Sequence, residues 1–353
     1  MAVNLHEKYA KEIQTAFVGE SFVAGKLSNE YDFTGVKTVK VSTPQTVPMG
    51  DYDRASVSNR YGTPVEMQDT VQELVLSQDK SFALTIDKGN NSDQNSVKSA
   101  GKMLALQIRE QAVPLMDSYI FSSLARRAGK VVGETAALDK NNICERLSEG
   151  SQTLDNAEVP SDGRTLFLSA SVYKLLKLSP EFLGVDTLGK RALSKGEVGE
   201  YDNMPVVKVP SGRWPEHLNF LIVHKRSATA PVKLSDTRIH IDPPGLSGNL
   251  LEGRQYYDCF VFAPRAPGVY AEINTASGAG KVLPAPSVSA AGAFSGSGSG
   301  AVYRFTTDGS DPRYSPNAKN GSASDVTAAG TVVRVFASAN DGAYPSPVSE
   351  RTL

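Results

Sequence analysis

Four histidines, two cysteines and a few acidic pairs are the residues of this 353-residue chain from which chemistry could be built. His6, His217, His224 and His240 do not fall at the spacing that brings two imidazoles to one metal ion. After His6-Glu7 the place of a zincin's second histidine is taken by Ala10, and Leu218 to Val223 between His217 and His224 reads as a strand. A nucleophile elbow is approached at Gly296-Ser297-Gly298-Ser299-Gly300, but the Gly-x-Ser-x-Gly register puts Gly298 where the nucleophile belongs. No Gly-x-x-x-x-Gly-Lys-Ser/Thr run offers amides and a lysine to phosphates. Asp51-Tyr52-Asp53, and Asp308 with Asp311, lack the continuation of an EF-hand, and turn-forming aspartates account for both. Cys144 and Cys259 are far apart and in no Cys-x-x-Cys, which argues against a disulfide framework or a structural zinc. No catalytic residue, cofactor or metal ligand is expected.

Composition narrows the classes further. With 37 Lys+Arg against 38 Asp+Glu the formal charge is -1, so no global basic field points to nucleic-acid phosphates or anionic lipid. Apolar runs such as Phe220-Leu221-Ile222-Val223 fall far short of the ~20 residues that a membrane helix needs. Glu7, Lys8, Lys11 and Glu12 interrupt the apolar core of a secretory signal, and synthesis in the cytoplasm of the host cell is expected. The length suits two or three domains with real cores.

The elements follow from spacing. Leu5, Tyr9, Ile13 and Phe17 recur every four residues behind Asn4 and Glu7, set like a capping box, and predict a short amphipathic N-terminal helix. From Tyr31 to about Ile86 the chain is rich in Val, Thr and Tyr and broken by Pro44, Pro48 and Pro64; it predicts a β-ribbon with a long excursion between its arms. Residues 93 to 127 carry helical steps through Val97, Leu104, Ile108, Leu115, Ile120 and Leu124, with Pro114 as a kink and Arg126, Arg127, Lys130 and Gly129 at the end. Thr165 to Leu168 predicts a strand before a helix at Ser169 to Leu178; Pro205 to Val209, Leu218 to Val223 and Tyr256 to Ala263 predict further strands. The class is α+β. From Pro284 to Leu353 there is one Leu and no Ile, Met, Cys, Trp or His, which sets a flexible linker at 277–283 before a small β-sandwich at 284–353.

A sticky helix, a projecting ribbon and a long helix bury poorly within one subunit and well against neighbours, so the chain reads as built to associate. Its order of elements resembles the major capsid proteins of tailed bacteriophages with the HK97 fold. The resemblance is carried by Tyr31-Asp32-Phe33-Thr34-Gly35-Val36-Lys37-Thr38-Val39, Asn59-Arg60-Tyr61-Gly62-Thr63-Pro64, Arg164-Thr165-Leu166-Phe167-Leu168-Ser169 and Gly196-Glu197-Val198-Gly199-Glu200-Tyr201-Asp202-Asn203-Met204-Pro205. The segment Val302-Tyr303-Arg304-Phe305-Thr306-Thr307-Asp308-Gly309-Ser310-Asp311-Pro312 is similar instead to the immunoglobulin-like domain at the C-terminus of chitobiase.

The capsid resemblance implies an HK97-like fold with an N-terminal arm (1–30) and a core (31–276). Within that core it implies an extended β loop at about 36–76, a spine helix at about 93–127 and an axial domain at about 131–225, the rest being peripheral domain. It implies a homo-oligomer of hexamers and pentamers forming an icosahedral head around double-stranded DNA held by non-specific contact. Separate scaffolding, portal and decoration proteins would be partners. The immunoglobulin-like domain would be displayed outside, with glycans as candidate ligands. Leu5, Tyr9, Ile13, Phe17, Val36, Val39 and Val41 are the residues assigned to assembly. Alternatives are a bacterial surface or carbohydrate-binding protein, or another self-assembling virion component such as a tail tube subunit.

Overall fold

The structure is a computed structural model, and it describes residues 21–31, 38–44, 46, 49–64, 66, 69–88, 100–180, 197–276, 280–323, 330–339 and 342–353. Leu5, Tyr9, Ile13, Phe17 and Val36, and the proposed helix start at 93–99, lie outside these residues.

Its centre is a six-stranded mixed sheet. The strands are β4 (Lys130–Glu134), β5 (Arg164–Ser169), β6 (Glu197–Tyr201), β7 (Met204–Val209), β8 (Leu218–His224) and β13 (Val269–Asn274), in the spatial order β4-β13-β8-β5-β7-β6. β8 reads Leu-Asn-Phe-Leu-Ile-Val-His and is buried along its whole length, as a strand covered on both faces must be. Its alternate residues serve two cores. Leu221 and Val223 join Phe167, Val269 and Ala271 on one side, while Phe220 and Ile222 join Leu166, Leu168 and Tyr270 on the other.

The first face is covered by a long helical segment made of α1 (Ala100–Gln107), a π-turn (Ile108–Ala112) and α2 (Val113–Arg126). Pro114 has no N–H for a regular helical bond, and the chain widens just before it, with the Val113 N–H reaching the Ile108 carbonyl. The expected kink is thus a π-turn. Beyond it Phe121 meets Phe167 and Trp214, each at 5.3 Å between ring centroids. The second face is covered by α3 (Ile143–Asn156) and α4 (Ala170–Lys177); Ser169 caps α4 by accepting the Val172 N–H at 3.2 Å.

A second, three-stranded antiparallel sheet is built from β10 (Val232–Ile241), β11 (Gly248–Tyr257) and β3 (Gln78–Asp87), in that order. Gly253 faces Phe82 across the ladder, and a Cβ at Gly253 would stand 2.3 Å from the Phe82 ring. The aromatic ring fills the space that the glycine leaves open. β9 (Ala228–Thr229) pairs with β12 (Phe260–Val261), and the projecting ribbon is β1 (Thr38–Pro44) with β2 (Asp69–Val75).

The C-terminal unit has a four-stranded antiparallel sheet, β17 (Lys319–Asn320), β16 (Val302–Thr306), β18 (Val332–Ser338) and β19 (Ser349–Thr352), and a two-stranded pair, β14 (Ser287–Val288) with β15 (Phe294–Ser295). Val288, Phe305, Ala323, Val333 and Val335 form its core, with Phe294 and Tyr303 packed against them.

Three sequence expectations change. Tyr256 to Ala263 is not one strand: the chain leaves β11 at Tyr257 and joins the β9 pair at Phe260, because the Asp258 carboxylate collects donors from other elements and turns the backbone there. The sheet that includes β4 to β8 is completed by β13, parallel to β4 and antiparallel to β8, so it reaches beyond the 131–225 range. Of the linker at 277–283, the described residues are packed rather than loose: Leu283 is buried, its N–H bonds the Tyr344 carbonyl at 3.1 Å, and the Tyr344 N–H bonds the Lys281 carbonyl at 2.8 Å.

Candidate assembly interface

The ribbon, with its excursion, carries half of the exposed large apolar side chains among the described residues. Its two arms pair in register from Thr38 opposite Val75 to Pro44 opposite Asp69. One face turns inward: Val41 and Leu74 are buried with Leu76, Phe260 and Phe262, and the half-buried Val39 and Tyr31 pack on the same cluster. Val39 and Val41, assigned to assembly from the sequence, are therefore spent within their own subunit. The outer face carries Val71 and Val75, about two-fifths exposed, with Lys40 and Glu73 joined at 2.8 Å between them.

Between the arms the excursion ends in a self-bonded tip. The Asp53 N–H donates to the Arg60 carbonyl at 3.0 Å, and the Asp53 carboxylate accepts the N–H groups of Ala55 at 2.8 Å and Ser56 at 3.2 Å. Arg60 Nε returns to the Ser56 carbonyl at 2.8 Å, and Asn59 enters the left-handed region at φ 54° to close the turn. Asp53 is thus the turn former that the sequence suggested. This local network shapes residues 53–62, where Val57 and Tyr61 stand 99% and 91% exposed; Met49, four residues before it, is 100% exposed, and Tyr52, half-exposed, meets Tyr61 edge-on at 4.9 Å. Preorganised apolar groups in water are a surface prepared for a partner. Sequence reasoning missed these residues because they follow no two- or four-residue period; the signal was large apolar residues scattered through a Pro-, Gly- and Ser-rich stretch.

The root of the ribbon is held by polar groups reaching across the chain. Gln72 acts like an extra peptide, its Nε2 donating to the Val261 carbonyl at 2.8 Å and its Oε1 accepting the Ala263 N–H at 2.9 Å. Asp258, buried at 1% exposure, accepts the Ser77 N–H at 2.9 Å, Ser77 Oγ at 2.7 Å, the Tyr119 hydroxyl at 2.7 Å and the Cys259 N–H at 2.7 Å. One carboxylate thus ties the ribbon's exit to α2 and to the β11–β12 turn. Asp258→Ala leaves those donors without an acceptor and should lower stability by about 3 kcal/mol, whereas Asp258→Asn keeps an acceptor and should lose less. Urea unfolding of the two variants checks the order; an alanine variant as stable as the parent would remove Asp258 from this role.

Two of the four histidines have partners within the fold, and His6 lies outside the described residues. His240 lies 3.1 Å from Glu252 across the β10–β11 pair, and His224 Nε2 contacts the Asp162 carbonyl at 3.0 Å, with burial holding its pKa below the ordinary value. Burial pushes the Cys259 thiol up to about 12, as suits an inert core residue. Among the described residues no group of three His, Cys, Asp or Glu could hold a metal ion, and no helix is long and apolar enough to cross a membrane.

The fold recurs in phage structures. One from Mycobacterium phage Che8 superposes with a TM-score of 0.57 at 17% identity, covering 72% of this chain and 90% of that one. The capsid structure of the cyanophage P-SCSP1u gives 0.56 at 12% identity, covering 69% and 85%. The asymmetric unit of the bacteriophage PhiM1 mature capsid gives 0.54 at 14% identity, covering 68% and 82%. The chain thus has an α+β fold shared with phage capsid structures. No protein-family model and no curated protein sequence matches it.

Proposed function

We propose that this chain is the major capsid protein of a tailed bacteriophage, with an HK97-like core that assembles as hexamers and pentamers into an icosahedral head around double-stranded DNA. The likeness to phage capsid structures supports the fold, and the observation that carries the function is the ribbon's excursion, where Met49 and Val57 are fully in water and Val57 stands on a turn that its own hydrogen bonds hold in shape. In an isolated protein that arrangement is a liability; over a neighbouring copy it is an interface. The near-zero charge suits a wall that encloses DNA without a strongly basic surface. Scaffolding and portal proteins would be separate chains.

The C-terminal unit, similar in sequence to an immunoglobulin-like domain, would lie on the outside of the head. Among its described residues Val302 is the one large apolar side chain that is well exposed, so stacking of a sugar ring on an exposed aromatic is not among the contacts this unit offers there.

Expression of the full chain, alone and with its cognate scaffold, followed by negative-stain microscopy of the high-molecular-weight fraction tests the reading. Closed shells are expected. Open tubes would point to a tail component, and a monomer that binds glycans to a surface protein; either would overturn the proposal.

A further inference from the structure

We infer that the C-terminal unit is an internal brace, which caps the long helix at its C-terminal end and locks that end to the rest of the subunit. α2 finishes at Arg126, with the Arg127 N–H bonded to the Ser123 carbonyl at 2.9 Å. The carbonyls of Arg127, Ala128 and Gly129 belong to the turn that leads from the helix into β4, beside the helix's negative pole, where they need donors and favour a cation. The C-terminal unit supplies both. Tyr314 donates its hydroxyl to the Arg127 carbonyl at 2.5 Å, and Arg313 Nη1 donates to the carbonyls of Ala128 at 3.0 Å and Gly129 at 2.8 Å.

Arg313 is held for this task. Asp311 grips its other edge, with Nε to Oδ1 at 3.0 Å and Nη2 to Oδ2 at 2.6 Å, and the guanidinium lies 5.2 Å from the Tyr314 ring centroid. The turn Asp311-Pro312-Arg313-Tyr314, closed by the Tyr314 N–H on the Asp311 carbonyl at 3.2 Å and by the Arg313 N–H on the Asp311 carboxylate at 2.9 Å, therefore presents its side chains as a preformed finger.

The helix answers in kind. Arg126 donates to the Ala343 and Gly342 carbonyls, both at 3.1 Å, and stands over the Tyr344 ring at 5.2 Å. Tyr344 itself is buried in the main core and donates its hydroxyl to the Glu216 carbonyl at 3.2 Å. Arg126, placed by the sequence at the end of the long helix, is thus half of a two-way clasp. Gly129, whose carbonyl Arg313 holds, is fixed in turn by its own core, so close to Ala266 that a Cβ would stand 2.1 Å from the Ala266 carbonyl oxygen. β4 begins at the very next residue, so the contacts of Arg126, Arg313, Tyr314 and Tyr344 bear on a rigid point. A domain on a free tether needs none of these contacts.

This inference concerns the folded subunit and does not depend on shell formation, so it can fail while the capsid reading stands. The test is hydrogen exchange, read by mass spectrometry on peptides spanning 120–135, with thermal unfolding, on the full chain carrying Arg313→Ala and Tyr314→Phe together. Exchange across the helix end should rise about tenfold or more, as loss of charge-assisted bonds predicts, and the unfolding midpoint should fall while peptides from β16 and β18 stay protected. Unchanged exchange at 120–135 and an unchanged midpoint would make the unit a tethered decoration and overturn the brace. If the double variant unfolds the C-terminal unit itself, Arg126→Ala decides, since that side chain belongs to the helix: faster exchange at 120–135 supports the clasp, and wild-type exchange overturns it.

Discussion

The double variant Met49→Asp, Val57→Asp is expected to give a folded subunit that forms no closed particles. Neither side chain takes part in the hydrogen bonds that shape the tip, which run through Asp53, Ser56 and Arg60, and both are in water in the single chain. Their removal should therefore leave the thermal unfolding midpoint at the parent value. In an assembly each would bury about 2 kcal/mol of apolar surface, so losing both weakens every such contact by about 4 kcal/mol, about a thousandfold in association. Carboxylates in their place add a desolvation cost. Sedimentation of the variant beside the parent reads the result directly. Parent-level yields of closed particles would remove the tip from the interface, and a lowered midpoint would mean that the tip serves its own subunit.

Arg146→Ala should be the most damaging single change inside the subunit. Arg146 comes from α3 and Glu272 from β13, both almost wholly buried; Arg146 Nε donates to Glu272 Oε2 at 3.1 Å, and Nη2 lies 2.9 Å from Oε1. Asn219 on β8 donates to the same carboxylate at 2.8 Å, and Glu134 on β4 stands 3.4 Å from the guanidinium. Removing the arginine strands a carboxylate in the middle of the central sheet, a loss of about 3–5 kcal/mol.

The pH dependence gives the mechanism its signature. Burial raises the Glu272 pKa above its ordinary 4.5, while Asn219 and Arg146 pull it back. The folded chain thus keeps a proton that the unfolded chain has released, so this group's contribution to stability falls as pH rises from its ordinary value through its raised one, and is flat above that. Without Arg146 the folded value climbs further. The stability deficit of Arg146→Ala should accordingly be small in acid, where both states hold the proton, and grow towards neutral pH. Urea unfolding across that range checks it; a deficit that is constant with pH would assign the loss to packing alone.

Much of the fold was legible because it rests on local pattern. The all-apolar run at Phe220 to Val223 is the plainest case, since it lies on β8, the strand buried on both faces. The alternation of Phe82, Leu84 and Ile86 does mark a strand, β3, but it pairs with β11 rather than within the ribbon that the sequence predicted to about Ile86. The Thr165 to Leu178 strand and helix are also in place, with Ser169 as the cap that its residue type suggests. What could not be read was set by partners distant in sequence. Nothing near Tyr256 says that Asp258 will gather Ser77 and Tyr119, so the strand break was hidden. Nothing near Val269 says that β13 will lie between β4 and β8.

The assembly residues follow the same rule. Val39 and Val41 have the alternation of a sticky strand, yet alternation does not say whose core they enter, and here Leu74 and Phe262 of the same chain cover them. Met49 and Val57 have no period at all, since the excursion that presents them is shaped at Val57 by hydrogen bonds rather than by burial. Arg126 could be placed at a helix end but its partners could not be read, because the carbonyls it serves, like those that Arg313 serves, lie about two hundred residues away in sequence.

The central claim is that this subunit closes into a shell by laying its ribbon on a neighbour. Cryo-electron microscopy of particles assembled from the parent chain tests it most directly. The account predicts a closed icosahedral shell of hexamers and pentamers, with Met49 and Val57 of each copy covered by an adjacent one. Particles that are not closed shells, or closed shells in which both side chains still face solvent, would contradict it.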